Sequence, residues 1–121
     1  MNKQVRSFKD LDTWKMSMDL VKNVYLLTSH FPKDERFGIT GQMRRSAISI
    51  PSNIAEGYGR WGKVEYARFC RIAFGSSTEL ETQLLLSKEL QLAKLECFTA
   101  SEDLLGHTQR LLNRLIQSLA R

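Results

Sequence analysis

The chain has 121 residues, the usual size of one domain, and its seven glycines and two prolines are too few for a sandwich of many short strands. The longest apolar run, Val24 to Leu27, excludes a membrane span, and the first six residues lead into no apolar signal segment. With a formal net charge of +5, the composition predicts a soluble, basic, helical protein of the cytoplasm.

The first helix is predicted over residues 11–30 and carries two apolar rows at helical spacing. One row consists of Leu11, Trp14, Met18, Val21 and Tyr25, and the other of Leu20, Val24, Leu27 and Phe31. Pro32 ends this helix, because the residue before a proline disfavours the α conformation.

The second helix is predicted over residues 39–57, after a short turn that begins at Lys33. Its core face is formed by Ile39, Met43, Ala47, Ile50 and Ile54.

The third helix is predicted over residues 64–90. A break at Gly75 is the alternative, because Ser76 and Glu79 have the spacing of a capping box. Continuity is favoured, because no proline or loop cluster lies there.

The fourth helix is predicted over residues 96–119, with two rows of leucine and isoleucine. Short connections favour antiparallel neighbours, so we expect a single domain, residues 1–121, folded as an all-α, up-down-up-down four-helix bundle. The bundle has more apolar surface than four core faces require. We therefore expect the surplus rows to close an interface between copies of the chain.

Cys70 and Cys97 are predicted to be reduced, because the chain shows no secretory signal and the two helices hold them far apart. The two histidines, His30 and His107, add no spacing typical of a zinc site. We therefore expect neither a bound metal nor a cofactor.

Several strings of the sequence are distinctive in themselves and in their order. They are SIPSNIAEG at residues 49–57, IAFGSSTELE at 72–81, Phe8-x-x-Leu11-x-x-Trp14, Phe31-Pro32-x-x-Glu35 and Gln42-Met43-x-Arg45-x-Ala47. Over residues 8–119 they resemble the bacterial four-helix-bundle family encoded by intervening sequences in large-subunit rRNA genes. A related branch comprises the accessory proteins of diversity-generating retroelements.

This resemblance implies a homopentameric, barrel-like assembly. For the retroelement branch it implies binding of nucleic acid and of a reverse transcriptase, and for the ribosomal branch an association with RNA or ribosomes. The motifs point more toward the ribosomal branch.

Two polar residues of the second helix, Asn53 and Glu56, lie beside its apolar row. One interpretation is structural: both hydrogen-bond to Ser76, Ser77 or Glu79 of the third helix and fix the register of packing. The rival is an active site built with Arg45. No nucleophile with its base accompanies these residues, so we favour the structural interpretation and expect no enzyme activity.

Residues 1–72 carry 13 Lys and Arg against 7 Asp and Glu, whereas residues 73–121 carry 5 against 6. The predicted nucleic-acid-binding residues therefore lie on the second helix, the following turn and the third helix: Arg44, Arg45, Arg60, Lys63, Arg68 and Arg71. Tyr58 and Trp61 lie among them, and bases stack on such rings. The alternative is that both rings cap the bundle end and that Arg68 or Arg71 pairs with Glu65.

Three functions follow from these features. The first is a non-catalytic, oligomeric protein that binds RNA or DNA through its basic surface. The second is a protein-interaction scaffold, or an adaptor for a reverse transcriptase, whose basic face docks an acidic partner. An enzyme is the third and has the least support.

Overall fold

The computed structural model describes residues 4–121, so the first three residues of the predicted 1–121 domain lie outside the described part. Within it the chain forms four α-helices and no strand: α1 (Asp12–Thr28), α2 (Ile39–Tyr58), α3 (Lys63–Glu89) and α4 (Thr99–Leu119). Short 3-10 turns cover Phe8–Asp10, Lys33–Glu35 and Leu95–Cys97. The prediction of an all-α fold with four helices is confirmed.

The helix ends differ from the predicted ones where the chain tightens into i→i+3 bonds. After Thr28, the N–H of His30 donates to the carbonyl of Leu27 and the N–H of Phe31 to that of Thr28, at 3.0 and 3.1 Å. These bonds end α1 two residues before the predicted end, yet they still place Phe31 in the core. Similarly, the turn at Leu95–Cys97 delays the start of α4 to Thr99.

Only one of the two apolar rows of α1 belongs to the interior. Leu20, Val24 and Leu27 are fully buried, whereas Tyr25 of the other row is 41% exposed. The rest of that row is half-buried, and Trp14 and Met18 line an open apolar groove together with Ile48 of α2. An apolar surplus therefore does remain at the surface of the single chain.

Helices α2 and α3 are in close contact along most of their length and run in opposite directions. Ser87 of α3 donates to the sulfur of Met43 near the start of α2, and Gly57 at the other end of α2 lies against Phe69. Four predicted core residues of α2 face this contact or α1 and are fully buried: Met43, Ala47, Ile50 and Ile54. Helix α3 continues through Gly75, as the absence of a proline or loop cluster predicts.

Both cysteines are free thiols. Cys70 lies on the buried face of α3, where burial raises the pKa of its thiol to about 11. Its thiol is therefore uncharged at neutral pH and packs as a small apolar side chain.

Candidate nucleic-acid interface

The six basic residues predicted to bind nucleic acid do not form one surface. Arg44 lies near the start of α2, and Arg60 follows its end, about 24 Å further along at 1.5 Å per residue. The prediction therefore combines cations from two distant parts of the bundle.

Arg44 is engaged by α1. Its Nε donates to the hydroxyl of Thr28 at 2.9 Å, and its guanidinium carbon lies 4.4 Å from the centroid of the Tyr25 ring. A cation over an aromatic ring together with a hydrogen bond stabilises the packing of α2 on α1. Arg44 therefore has a structural role that the sequence pattern did not indicate.

Arg45 is exposed and lies about 100° around α2 from Arg44, on the side that adjoins α3. It lines an open polar groove whose other walls are Gln42, Ser46, Ser49, Ser76 and Glu79. Two of the distinctive strings of the sequence, at residues 49–57 and 72–81, thus meet along this groove.

Arg60, in the turn after α2, and Arg68, on α3, approach the same aromatic ring. Their guanidinium carbons lie 5.1 and 4.9 Å from the centroid of Phe69. Each also pairs with a carboxylate of its own segment, Arg60 with Glu56 at 2.6 Å and Arg68 with Glu65 at 3.4 Å. All four partners are about half exposed, so these pairs leave the cations available to an anion in solvent.

Lys63 and Arg71 are exposed and form no ion pair with any residue of the described chain. Lys63 is the first residue of α3 and follows Gly62, whose φ of +88° is a conformation that side chains other than glycine rarely adopt. The turn that Gly62 permits leaves Trp61 97% exposed. An indole so fully in water, between two cations, is the least expected feature of this end.

Tyr58 behaves differently from Trp61. Its ring meets Tyr66 edge-on, with centroids 5.9 Å apart, and is half-buried. Both interpretations of the two aromatics are therefore realised in part: Tyr58 closes the bundle end, whereas Trp61 is open to solvent. The two interpretations of the cations are also each realised in part: Arg68 pairs with Glu65, as the alternative predicts, whereas Arg71 forms no pair with that carboxylate.

Asn53 is linked to α3 through an intermediary, Ser49, that the sequence pattern did not indicate. Its amide nitrogen donates to the carbonyl and hydroxyl oxygens of Ser49 at 2.8 and 2.9 Å, and the Ser49 hydroxyl lies 2.8 Å from that of Ser76. Glu56 takes no part, because it is exposed and bound to Arg60. The expected contact of Glu56 with α3 is wrong, since its position on α2 turns it toward the following turn.

Asn53→Ala is expected to lower the free energy of unfolding by about 1 kcal/mol, because the Ser49–Ser76 pair loses its amide donor. Urea unfolding followed by circular dichroism measures this loss. Ser52→Ala, at an exposed neighbouring position, is the control and should unfold like the wild type. Equal stability of both variants would show that the network does not hold α2 against α3.

Two basic residues outside the predicted set, Lys33 and Arg36, lie at the other end of α2 from Trp61. Arg36 lies 5.5 Å from the ring centroid of Phe37, which is 91% exposed. Between Pro32 and Gly38 the sequence reads KDERF, in which two acidic residues balance the two cations, so its charge gives no signal of a binding site. The sequence predicts only a turn there.

Within residues 4–121, none of the helices combines the length and the apolar character that crossing a bilayer requires.

A crystal structure of a protein with unknown function, from the S23 ribosomal protein family of Bacteroides thetaiotaomicron, has a similar fold, with a TM-score of 0.77. It shares 20% sequence identity, and the similarity covers 86% of this chain and 97% of that one. At this identity the likeness shows the fold alone.

No curated protein matches the chain closely enough to count as a relative. The sequence model described as 23S rRNA-intervening sequence protein, in contrast, matches residues 9–114. That match spans nearly the whole bundle, from the first 3-10 turn into the last turns of α4. The chain therefore belongs to the 23S rRNA-intervening sequence protein family.

Proposed function

We propose that this protein is a non-catalytic RNA-binding protein and that it holds RNA at the end of the bundle where α2 meets α3. The binding residues are Arg60, Trp61, Lys63, Arg68 and Arg71, here called the α2–α3 surface. The observation that carries the proposal is the 97% exposure of Trp61 between Arg60 and Lys63.

The chemistry of the α2–α3 surface suits single-stranded RNA. Phosphates bind arginine and lysine, and unpaired bases stack on an exposed indole with little regard to sequence. Lys63 and Arg71 have no competing carboxylate in the described chain, so they are the cations most available to phosphate. Arg60 and Arg68 already lie over an aromatic ring, which holds their guanidiniums in place.

The bundle is proposed to be of the antiparallel up-down-up-down kind and to assemble as a homopentamer. The opposed directions of α2 and α3, and the side chains of Leu85 and Leu86 that are about half exposed on α3, support this arrangement. A pentamer repeats every charge of the α2–α3 surface five times, which strengthens RNA binding at low salt. Sedimentation equilibrium at micromolar concentration should give the mass of five chains, and a monomer would refute the assembly.

RNA binding is tested by fluorescence anisotropy with a 20-nucleotide single-stranded RNA at several salt concentrations. Trp61→Ala should weaken binding roughly 5- to 150-fold, because one stacked base contributes about 1–3 kcal/mol. The double variant Lys63→Ala with Arg71→Ala should weaken RNA binding more than Trp61→Ala does. It should also reduce the slope of log K against log salt by about 0.7 for each phosphate that is no longer neutralised.

The matched control removes the same charge elsewhere: Arg110→Ala with Arg114→Ala, two exposed positions on α4. This control should keep most of the affinity if the α2–α3 surface is the site. Equal losses in both double variants would mean that RNA responds only to net charge, which contradicts the proposed surface.

A scaffold that docks an acidic protein, or an adaptor for a reverse transcriptase, is the alternative function. The features in its favour are again the basic surface and the exposed apolar side chains of α3. Pull-down from a nuclease-treated lysate distinguishes the two: a partner retained only through the α2–α3 surface, without measurable RNA binding, would favour the scaffold.

A further inference from the structure

We propose that a second site, at the opposite end of α2, binds the phosphate group of a nucleotide while the base stacks on Phe37. The site is an open groove between the end of α1 and the start of α2, here called the α1–α2 groove. Its functional lining consists of Lys33, Arg36, Phe37, Thr40 and Arg44. It is independent of the α2–α3 surface and stands whether or not that surface binds RNA.

Three cations line the α1–α2 groove, and in the described part of the chain none of them forms an ion pair with an acidic side chain. Arg44 uses Nε on Thr28, which leaves the two terminal nitrogens of its guanidinium free for an anion. Arg36 lies over Phe37 and keeps all of its donors. Such an unpaired group of cations is suited to a phosphate with up to two negative charges.

The start of α2 adds unpaired backbone donors. Helix α2 has 20 residues, its N-cap is Gly38, and no side chain caps its first turn, which also holds no acidic residue. The backbone N–H groups of Ile39, Thr40 and Gly41 therefore have no side-chain acceptor, and they lie at the positive end of the helix dipole. Helix starts of this kind bind phosphate in many proteins.

Thr40 gives an independent sign that a partner is missing. It is only 5% exposed, and its hydroxyl has no hydrogen-bond partner within residues 4–121. Buried hydroxyls are nearly always bonded, so an unbonded one that lines a cationic groove indicates a ligand group that would accept its proton. A phosphate oxygen is such an acceptor.

Phe37 decides in favour of a nucleotide over inorganic phosphate. Its ring is 91% exposed at the edge of the groove, where one face meets the Arg36 guanidinium. A purine base attached to a bound phosphate can stack on the ring and remove it from water.

Glu35 acts against the site and provides a sensitive test of it. Its carboxylate lies beside Gly38, at the same start of α2, without accepting a hydrogen bond from the first turn. Its negative charge should repel a bound phosphate. Glu35→Gln is therefore expected to increase the affinity for the anion several-fold.

Equilibrium dialysis of the full chain against adenosine monophosphate, inorganic phosphate and adenosine tests the proposal. Adenosine monophosphate should bind best and adenosine should not bind measurably. Lys33→Ala with Arg36→Ala should weaken binding at least 10-fold, and Thr40→Val several-fold. Phe37→Ala should reduce the affinity for adenosine monophosphate to that for inorganic phosphate.

The matched control is the Arg110→Ala, Arg114→Ala variant, which removes two exposed charges of α4 outside both proposed sites and should bind adenosine monophosphate normally. The proposal is overturned if adenosine binds as well as its monophosphate, or if the Lys33, Arg36 double variant binds like the control. Circular dichroism confirms that each variant is folded, and Thr40→Val preserves side-chain shape.

A competition experiment identifies the source of the nucleotide. It follows the dialysis experiments, which test whether the α1–α2 groove binds adenosine monophosphate. Displacement of adenosine monophosphate by an RNA with a 5′-phosphate, and not by the same RNA with a 5′-hydroxyl, identifies the end of an RNA chain. No displacement by either RNA identifies a free nucleotide. Equal displacement by both would contradict a site that recognises a terminal phosphate.

Discussion

Gly57→Ala is expected to lower the free energy of unfolding by about 1–3 kcal/mol, even though alanine favours a helix more than glycine does. A Cβ at Gly57 would lie 2.7 Å from the Cβ of Phe69 and 3.1 Å from the carbonyl oxygen of Tyr66. Both atoms belong to or adjoin the backbone of α3, so the two helices must separate to admit a methyl group. Urea unfolding followed by circular dichroism measures the effect.

Gly75→Ala is the matched control, because it adds the same methyl group in the middle of α3, where no atom of residues 4–121 other than its chain neighbours and the adjacent helix backbone lies within 4 Å. It should raise the free energy of unfolding by up to about 1 kcal/mol through helix propensity. A loss of stability at Gly75 would instead show that another copy of the chain lies against this position. If Gly57→Ala unfolds like the wild type, α2 and α3 do not depend on this close approach.

The helices could be predicted because apolar spacing dominates their stability. Met43, Ile50 and Ile54 recur at helical intervals, and all three are fully buried. The exact ends of the helices depend on local hydrogen bonds, which leave no periodic pattern in the sequence. Leu95–Cys97, for example, forms a separate 3-10 turn before α4. Which apolar row of α1 faces inward depends on how the helix is rotated against its neighbours, and its own sequence does not specify this rotation.

The candidate site was predicted less well than the helices. Whether a charged side chain is held by other residues or is available to a ligand depends on partners from other helices, which the local sequence does not reveal. Arg44 looks like a flanking surface cation in the sequence, yet Thr28 and Tyr25 of α1 engage it. Tyr58 and Trp61 have similar neighbours in the sequence. Only the structure shows that Tyr58 packs against the ring of Tyr66 and that Trp61 has no such contact in the described part of the chain.

Phe98→Ala is expected to lower the free energy of unfolding by about 3–5 kcal/mol, which is a large fraction of the roughly 5–15 kcal/mol typical of a domain. Phe98 is completely buried where the last 3-10 turn leads into α4, and its ring lies 6.1 Å from that of Phe31. Removing it leaves a cavity between the end of α1 and the start of α4. Urea unfolding of the variant measures the loss.

Phe37→Ala removes the same side chain from a position that is 91% exposed and should change the free energy of unfolding by less than about 0.5 kcal/mol. This contrast bears on function, because a folded Phe37→Ala protein is required to test stacking of a base in the α1–α2 groove. If Phe37→Ala destabilised the chain as Phe98→Ala does, its ring would be buried in solution against another copy. Phe37 would then be inaccessible to a nucleotide.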